Sequence, residues 1–155
     1  MRVCGIDPGT NGAICVLDSQ DSAYIALLDL AKPTTFEASQ WLHVQKPDIV
    51  WIENIHGFPG MASQSNFGMG RSVGKVHAIA EIATHGQEAK LVVAQVWQKY
   101  IGVTVKGKAI KQQVAKIAQY LYPQAELHGK QGGLRDGRSD ALMIAYYGLH
   151  YKEKV

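Results

Sequence analysis

Cys4-Gly5-Ile6-Asp7-Pro8-Gly9-Thr10-Asn11-Gly12 closes the first apolar run of the chain and sets a lone aspartate where a buried strand meets a turn. Pro8, Gly9 and Gly12 break the strand, and apolar residues resume at once. Runs at about 2–7, 12–18 and 22–30 read as strands, the second and third separated by Asp18-Ser19-Gln20-Asp21-Ser22. Connections this short join antiparallel neighbours, so the first thirty residues predict a three-stranded meander.

Further along, Thr34-Thr35-Phe36-Glu37 carries a capping-box spacing that starts a helix. That helix ends before Pro47, and a strand follows at 48–53. Residues 55–65 read as a loop and 66–85 as a helix with Met69, Val73, Val76, Ala80 and Ala83 on one face. Gly70 and Gly74 on that helix imply close approach by another backbone, from the same chain or from a second copy. A strand at 89–94, a short helix through Trp97 and Tyr100, an amphipathic helix over 108–121 and a last helix over 138–151 complete the pattern. Residues 124–135 are polar and glycine-containing and read as a mobile loop. This order of elements is that of an α/β, ribonuclease H-like fold: a five-stranded mixed sheet with helices on both faces.

At 155 residues the chain is expected to form a single domain (1–155) able to bury a core without disulfides. Its two cysteines, Cys4 and Cys15, lie in apolar runs and lack zinc or redox spacing, so buried thiols in a reducing cytoplasm are expected. No apolar run is long enough for a membrane span and the start lacks a signal-peptide pattern. Cytoplasm, without membrane association, is therefore the expected location. The net charge of +3 is unevenly spread: residues 1–70 carry three Lys/Arg and seven Asp/Glu, residues 71–155 thirteen and six. An acidic half beside a basic half suits a metal site next to a phosphate-binding surface.

Four carboxylates stand where such a site requires them. Asp7 ends the first strand, Glu53 ends the apolar run Ile49-Val50-Trp51-Ile52, and Asp136 and Asp140 flank the start of the last helical pattern. Asp7 and Glu53 become neighbours if strand one pairs with strand four. Asp136 and Asp140, four apart, share a helix face if that helix begins early. Converging carboxylates repel without a cation, and a pair of Mg²⁺ ions held this way can activate water and stabilise a leaving oxygen in phosphodiester hydrolysis. Singly, each acid also has an ordinary reading as a turn, helix-start or ion-pair residue. Lys99, Lys106, Lys108, Lys111 and Lys116 supply a basic surface within eighteen residues. Arg71 and Lys75 can add phosphate contacts, and Arg135 and Arg138 can contact DNA or pair with Asp136. His56 lies near enough to Glu53 to assist a proton transfer, whereas the three tryptophans read as core.

Gly5-Ile6-Asp7-Pro8-Gly9, Ile52-Glu53 and Ser139-Asp140-Ala141-Leu142 with Ile144-Ala145 resemble the RuvC family of Holliday-junction resolvases. Asn66 through Gly74 and Gly102 through Lys111 resemble two further blocks of that family, and the resemblance covers nearly the whole chain. The short chain and the Phe58-Pro59-Gly60 loop are most similar to its phage-encoded branch. The resemblance implies a homodimer that binds a four-way DNA junction and cuts two strands symmetrically with Mg²⁺ or Mn²⁺, leaving 5′-phosphate and 3′-hydroxyl ends. It implies that Asp7, Glu53 and Asp140 are the core ligands, that Lys111 stabilises the scissile phosphate, and that Phe58 inserts into the junction. The family's fourth ligand falls at Gly137 here, which leaves Asp136 as the substitute.

Other readings remain at this stage. Asp-x-Gly-Thr also resembles the first phosphate loop of actin-like ATPases, but those need a second domain for which 155 residues leave no room. A ribonuclease H-like nuclease acting on RNA or on flapped or single-stranded DNA would use the same acids. A module that binds branched DNA without cutting it would gain nothing from carboxylates beside phosphates.

Overall fold

The computed structural model describes residues 1–57 and 59–151. Strands β1 (Arg2–Ile6), β2 (Ala13–Asp18) and β3 (Ile25–Asp29) form the meander. They are followed by α1 (Thr35–Gln45), β4 (Ile49–Glu53), α2 (Ser63–Ala83), β5 (Lys90–Val92), α3 (Ala94–Tyr100), α4 (Ala109–Leu121) and α5 (Asp136–His150). The sheet has five strands in the order β3-β2-β1-β4-β5, and β4 lies parallel to both β1 and β5. The mixed sheet and the pairing of strand one with strand four are as expected.

Alternation along the strands builds two cores. Val3, Ala13, Cys15, Leu17 and Trp51 face α3, α4 and α5, whereas Cys4, Ile6, Ile14, Val16, Val50 and Ile52 face α1 and α2. The two cysteines are free, buried and on opposite faces of the sheet. Helix α1 begins with the expected capping box: Glu37 N–H donates to Thr34 Oγ1 (3.2 Å) and Thr34 N–H donates to Glu37 Oε2 (2.8 Å). Helix α2 starts at Ser63, earlier than its apolar period suggests, and its N-cap Ala62 supplies no side-chain bond. Gly70 and Gly74 face open space among the described residues, so no intrachain backbone approaches them.

Helix α5 crosses β1 at a point where only glycine fits. A Cβ at Gly5 would collide with the backbone of Ala141 and Ala145. Gly5→Ala should therefore push α5 off the sheet and cost about 3 kcal/mol of stability, readable by urea unfolding; an unchanged midpoint would mean that the helix yields freely. Segment 124–135 is anchored rather than loose. Ala125 and Leu127 are buried, His128 bridges Leu134, and Arg135 N–H donates to Leu127 O at 2.9 Å.

Candidate active site

In the parallel pair, Ile6 lies beside Ile52. The next residue on each strand is a carboxylate, so Asp7 and Glu53 emerge together at the C-terminal end of the sheet. Asp7 is fixed by its turn, its N–H donating to Ala13 O (3.0 Å) and its Oδ1 accepting from Gly9 N–H (2.9 Å). Helix α5 begins at Asp136, two residues earlier than the apolar pattern indicates, which puts Asp136 and Asp140 one turn apart on the same helix. The close fit of Ala141 over Gly5 sets this end of the helix beside Asp7.

The electrostatics record the convergence. Burial, then the charges of Asp7, Glu53 and Asp136, push the Asp140 carboxyl up to about 8. Burial and Asp7 push Glu53 up to about 7, against a lowering hydrogen bond from Trp97. Asp7 is raised by burial foremost, although Gly9 N–H and Lys111 oppose the shift. Lys111 joins the group from the first turn of α4. Its ammonium is ion-paired with Asp136, which with Asp140 and Asp7 raises its pKa.

No group of three or more His, Cys, Asp or Glu side chains among the described residues is gathered tightly enough to enclose a single ion. Asp136 is ion-paired with Lys111, and Glu53 accepts from the Trp97 indole. The donor chemistry still suits a hard divalent cation: the residues offer only oxygens, and Mg²⁺ is satisfied by one or two carboxylates, with water and phosphate filling its remaining positions. Buried carboxyls that keep protons to near-neutral pH are also what repulsion produces when no cation is present.

Trp97 is fully buried, and its indole N–H donates to Glu53 Oε1 at 3.2 Å. Sequence reasoning placed it in the core and missed this second role, because nothing local links positions 53 and 97. Gln113 was also missed. Its Oε1 accepts from the N–H groups of Thr104 (3.0 Å) and Val105 (3.1 Å), tying the lysine-bearing loop before α4 to that helix.

The other expected contacts divide. Lys106, Lys108, Lys116 and Arg71 are exposed and form no ion pair among the described residues. Lys75 is committed elsewhere, its Nζ donating to Pro33 O (2.7 Å) and Leu30 O (3.2 Å), where it braces the β3–α1 connection. Arg138 does not pair with Asp136. It makes a two-pronged bond to Asp29 (2.7 and 2.9 Å) and donates to Glu126 O. Phe58 lies outside the described residues. A Cβ at Gly137 would collide with Asn11 O in the β1–β2 turn, so that position has no room for an acidic side chain.

No protein-family model and no curated protein matches the sequence. Solved structures do match in fold. Thermus thermophilus RuvC in complex with a Holliday junction substrate aligns with a TM-score of 0.64 at 21% identity, covering 94% of this chain and 90% of that one. A second Thermus thermophilus RuvC structure aligns with a TM-score of 0.56 at 20% identity, covering 96% and 95%. The five-stranded sheet, its helices on both faces and its full-length alignment give this chain the ribonuclease H-like fold of RuvC.

Proposed function

We propose that this protein is a structure-selective endonuclease that hydrolyses phosphodiesters in four-way or otherwise branched DNA. The observation that carries the reading is the meeting of Asp7, Glu53, Asp136 and Asp140 at one end of the sheet, in a fold shared with a RuvC solved on a Holliday junction. Asp7, Glu53 and Asp140, with Asp136 as the fourth acid, would hold two Mg²⁺ ions, for which Mn²⁺ can substitute. Bound there, the cations would supply a water nucleophile and neutralise the developing phosphate charge.

The chain's own groups do the rest. Trp97 holds one oxygen of Glu53 and thereby turns the carboxylate, and Asp136 holds the Lys111 ammonium at the carboxylate cluster, where it can meet a phosphate oxygen. Lys106, Lys108, Lys116 and Arg71 offer exposed cations for the DNA backbone, giving salt-dependent binding. Water attacking in line opposite the 3′ oxygen would break the P–O3′ bond and leave 5′-phosphate and 3′-hydroxyl ends. Paired cuts require two sites, hence a homodimer, and the open glycine face of α2 leaves room for a second copy.

The test is cleavage of a labelled four-way junction in Mg²⁺, beside a matched duplex, a flap and an RNA–DNA hybrid, with Asp7→Asn as the inactive control. Symmetric nicks on the junction alone support the proposal. Preferred cutting of flap or hybrid would keep the site and replace the substrate. Trp97→Phe should keep the fold but cut about tenfold more slowly at neutral pH. Loss of its N–H removes the bond that lowers the Glu53 pKa, so the acid limb of the pH–rate profile should move to higher pH. An unmoved limb would leave Trp97 a packing residue only.

A further inference from the structure

Helices α4 and α5 run side by side in the same direction. Lys111 meets Asp136 at one end, and Tyr122 meets Tyr146 at the other with ring centroids 6.2 Å apart. The second end carries an apolar surface whose aromatic and aliphatic side chains the cleavage reading does not use, although Lys116 at its edge is also within reach of DNA in that reading. Two open clefts of about 780 and 670 Å³ adjoin there, with Tyr100 lining both. Ile117, Tyr120 and Leu121 line the first, Val96, Tyr147 and Tyr151 the second. Val96, Tyr100, Tyr120, Leu121 and Tyr151 are all exposed, Tyr120 to 84%. Apolar side chains gathered like this on a surface mark interaction sites.

Charge narrows the partner. From Ala94 through Leu121, and again from Ala141 through Tyr151, the chain has no Asp or Glu. Lys116 borders the first cleft and Lys99 the second, and neither forms an ion pair among the described residues. The ring geometry favours side-chain anchors over stacked bases. Tyr100 packs edge-on to Tyr147 (5.4 Å, 84°), and Trp51 packs the same way against Tyr147 and Tyr151 (5.3 and 5.0 Å), so several ring faces are already covered. Distance separates the clefts from the catalytic end: Asp140 and Tyr147 are about 10 Å apart along α5 at 1.5 Å per residue.

We propose that these paired clefts are a docking surface for an acidic protein segment that inserts one apolar side chain on each side of Tyr100, with Lys99 and Lys116 meeting its carboxylates. The cost of ordering such a segment is offset by buried anchors, and the charges guide and orient it.

The experiment is selection from a random peptide display library on the full chain, followed by anisotropy titration of the enriched peptides carrying a fluorescein label. Asp- and Glu-rich peptides with two aromatic or aliphatic anchors are expected. Tyr120→Ala and Val96→Asp should each weaken them about tenfold. Both positions are exposed, so the fold should hold, which thermal melts check, and Tyr120→Ala should leave junction cleavage at the parent rate. No enrichment, enrichment of neutral or basic peptides, or affinity untouched by both substitutions would overturn the proposal. A labelled oligo-dT strand whose binding falls in the same two variants would overturn it in favour of single-stranded DNA.

Discussion

Asparagine in place of Asp140 should abolish cleavage, by a factor on the order of a thousand, while making the cation-free protein more stable. Both effects come from Asp140 lying buried, and among other carboxylates. In the fold Asp140 is raised from an ordinary 3.8 to about 8, and Glu53 from 4.5 to about 7. The folded state therefore keeps protons that the unfolded chain has released, and stability falls as pH rises from about 4 to about 8. Asparagine removes the larger part of that slope. Near pH 4 variant and parent should melt together. At pH 8 the variant should melt about 5 °C higher, the equivalent of about 2 kcal/mol. Coincident melts at pH 8 would show that neither burial nor its neighbours' charge penalises the Asp140 carboxylate. The same protons must leave before a cation binds, so Mg²⁺ added to the parent at pH 7 should release them, which calorimetry in buffers of different ionisation enthalpy measures.

Gly137→Asp restores an acid where the resembled family carries one, and it should destroy the protein's activity instead of improving it. The space a Cβ would need is filled by Asn11 O, with Gly12 Cα at 2.9 Å. These are backbone atoms of the β1–β2 turn that positions Asp7, so they yield only by moving the site. A loss of about 3 kcal/mol is expected, together with loss of cleavage. Gly137→Ala should be destabilised to the same degree, which separates steric from electrostatic causes. A Gly137→Asp variant that melts and cuts like the parent would show that the turn gives way and that the acid position is free to move. The departure at 137 also leaves Asp136 as the acid held by Lys111.

Much of the framework is local and was legible. The meander follows from two short turns, α1 from its Thr34–Glu37 box, and α4 from an apolar stripe that buries Val114 and Ala118. Boundaries failed where local signals are missing. Helix α2 has no capping side chain at Ala62, and the turn before α5 has none at Arg135, so both helices begin earlier than their apolar periods suggest. The 124–135 segment looks polar along the chain, yet its few apolar residues, Ala125, Leu127 and Leu134, are the ones the core takes in.

The order of elements and the four acids at their ends are written locally along the chain, because strand breaks, helix caps and lone carboxylates after apolar runs act within a few residues. What the cations and the indole do follows from long-range packing. Lys75 is spent on carbonyls more than forty positions away, Arg138 on Asp29 at a separation of 109, and Trp97 on Glu53 at 44. Such pairings depend on which surfaces the sheet brings together. A hydrogen bond or ion pair across that distance leaves no periodic trace in the chain.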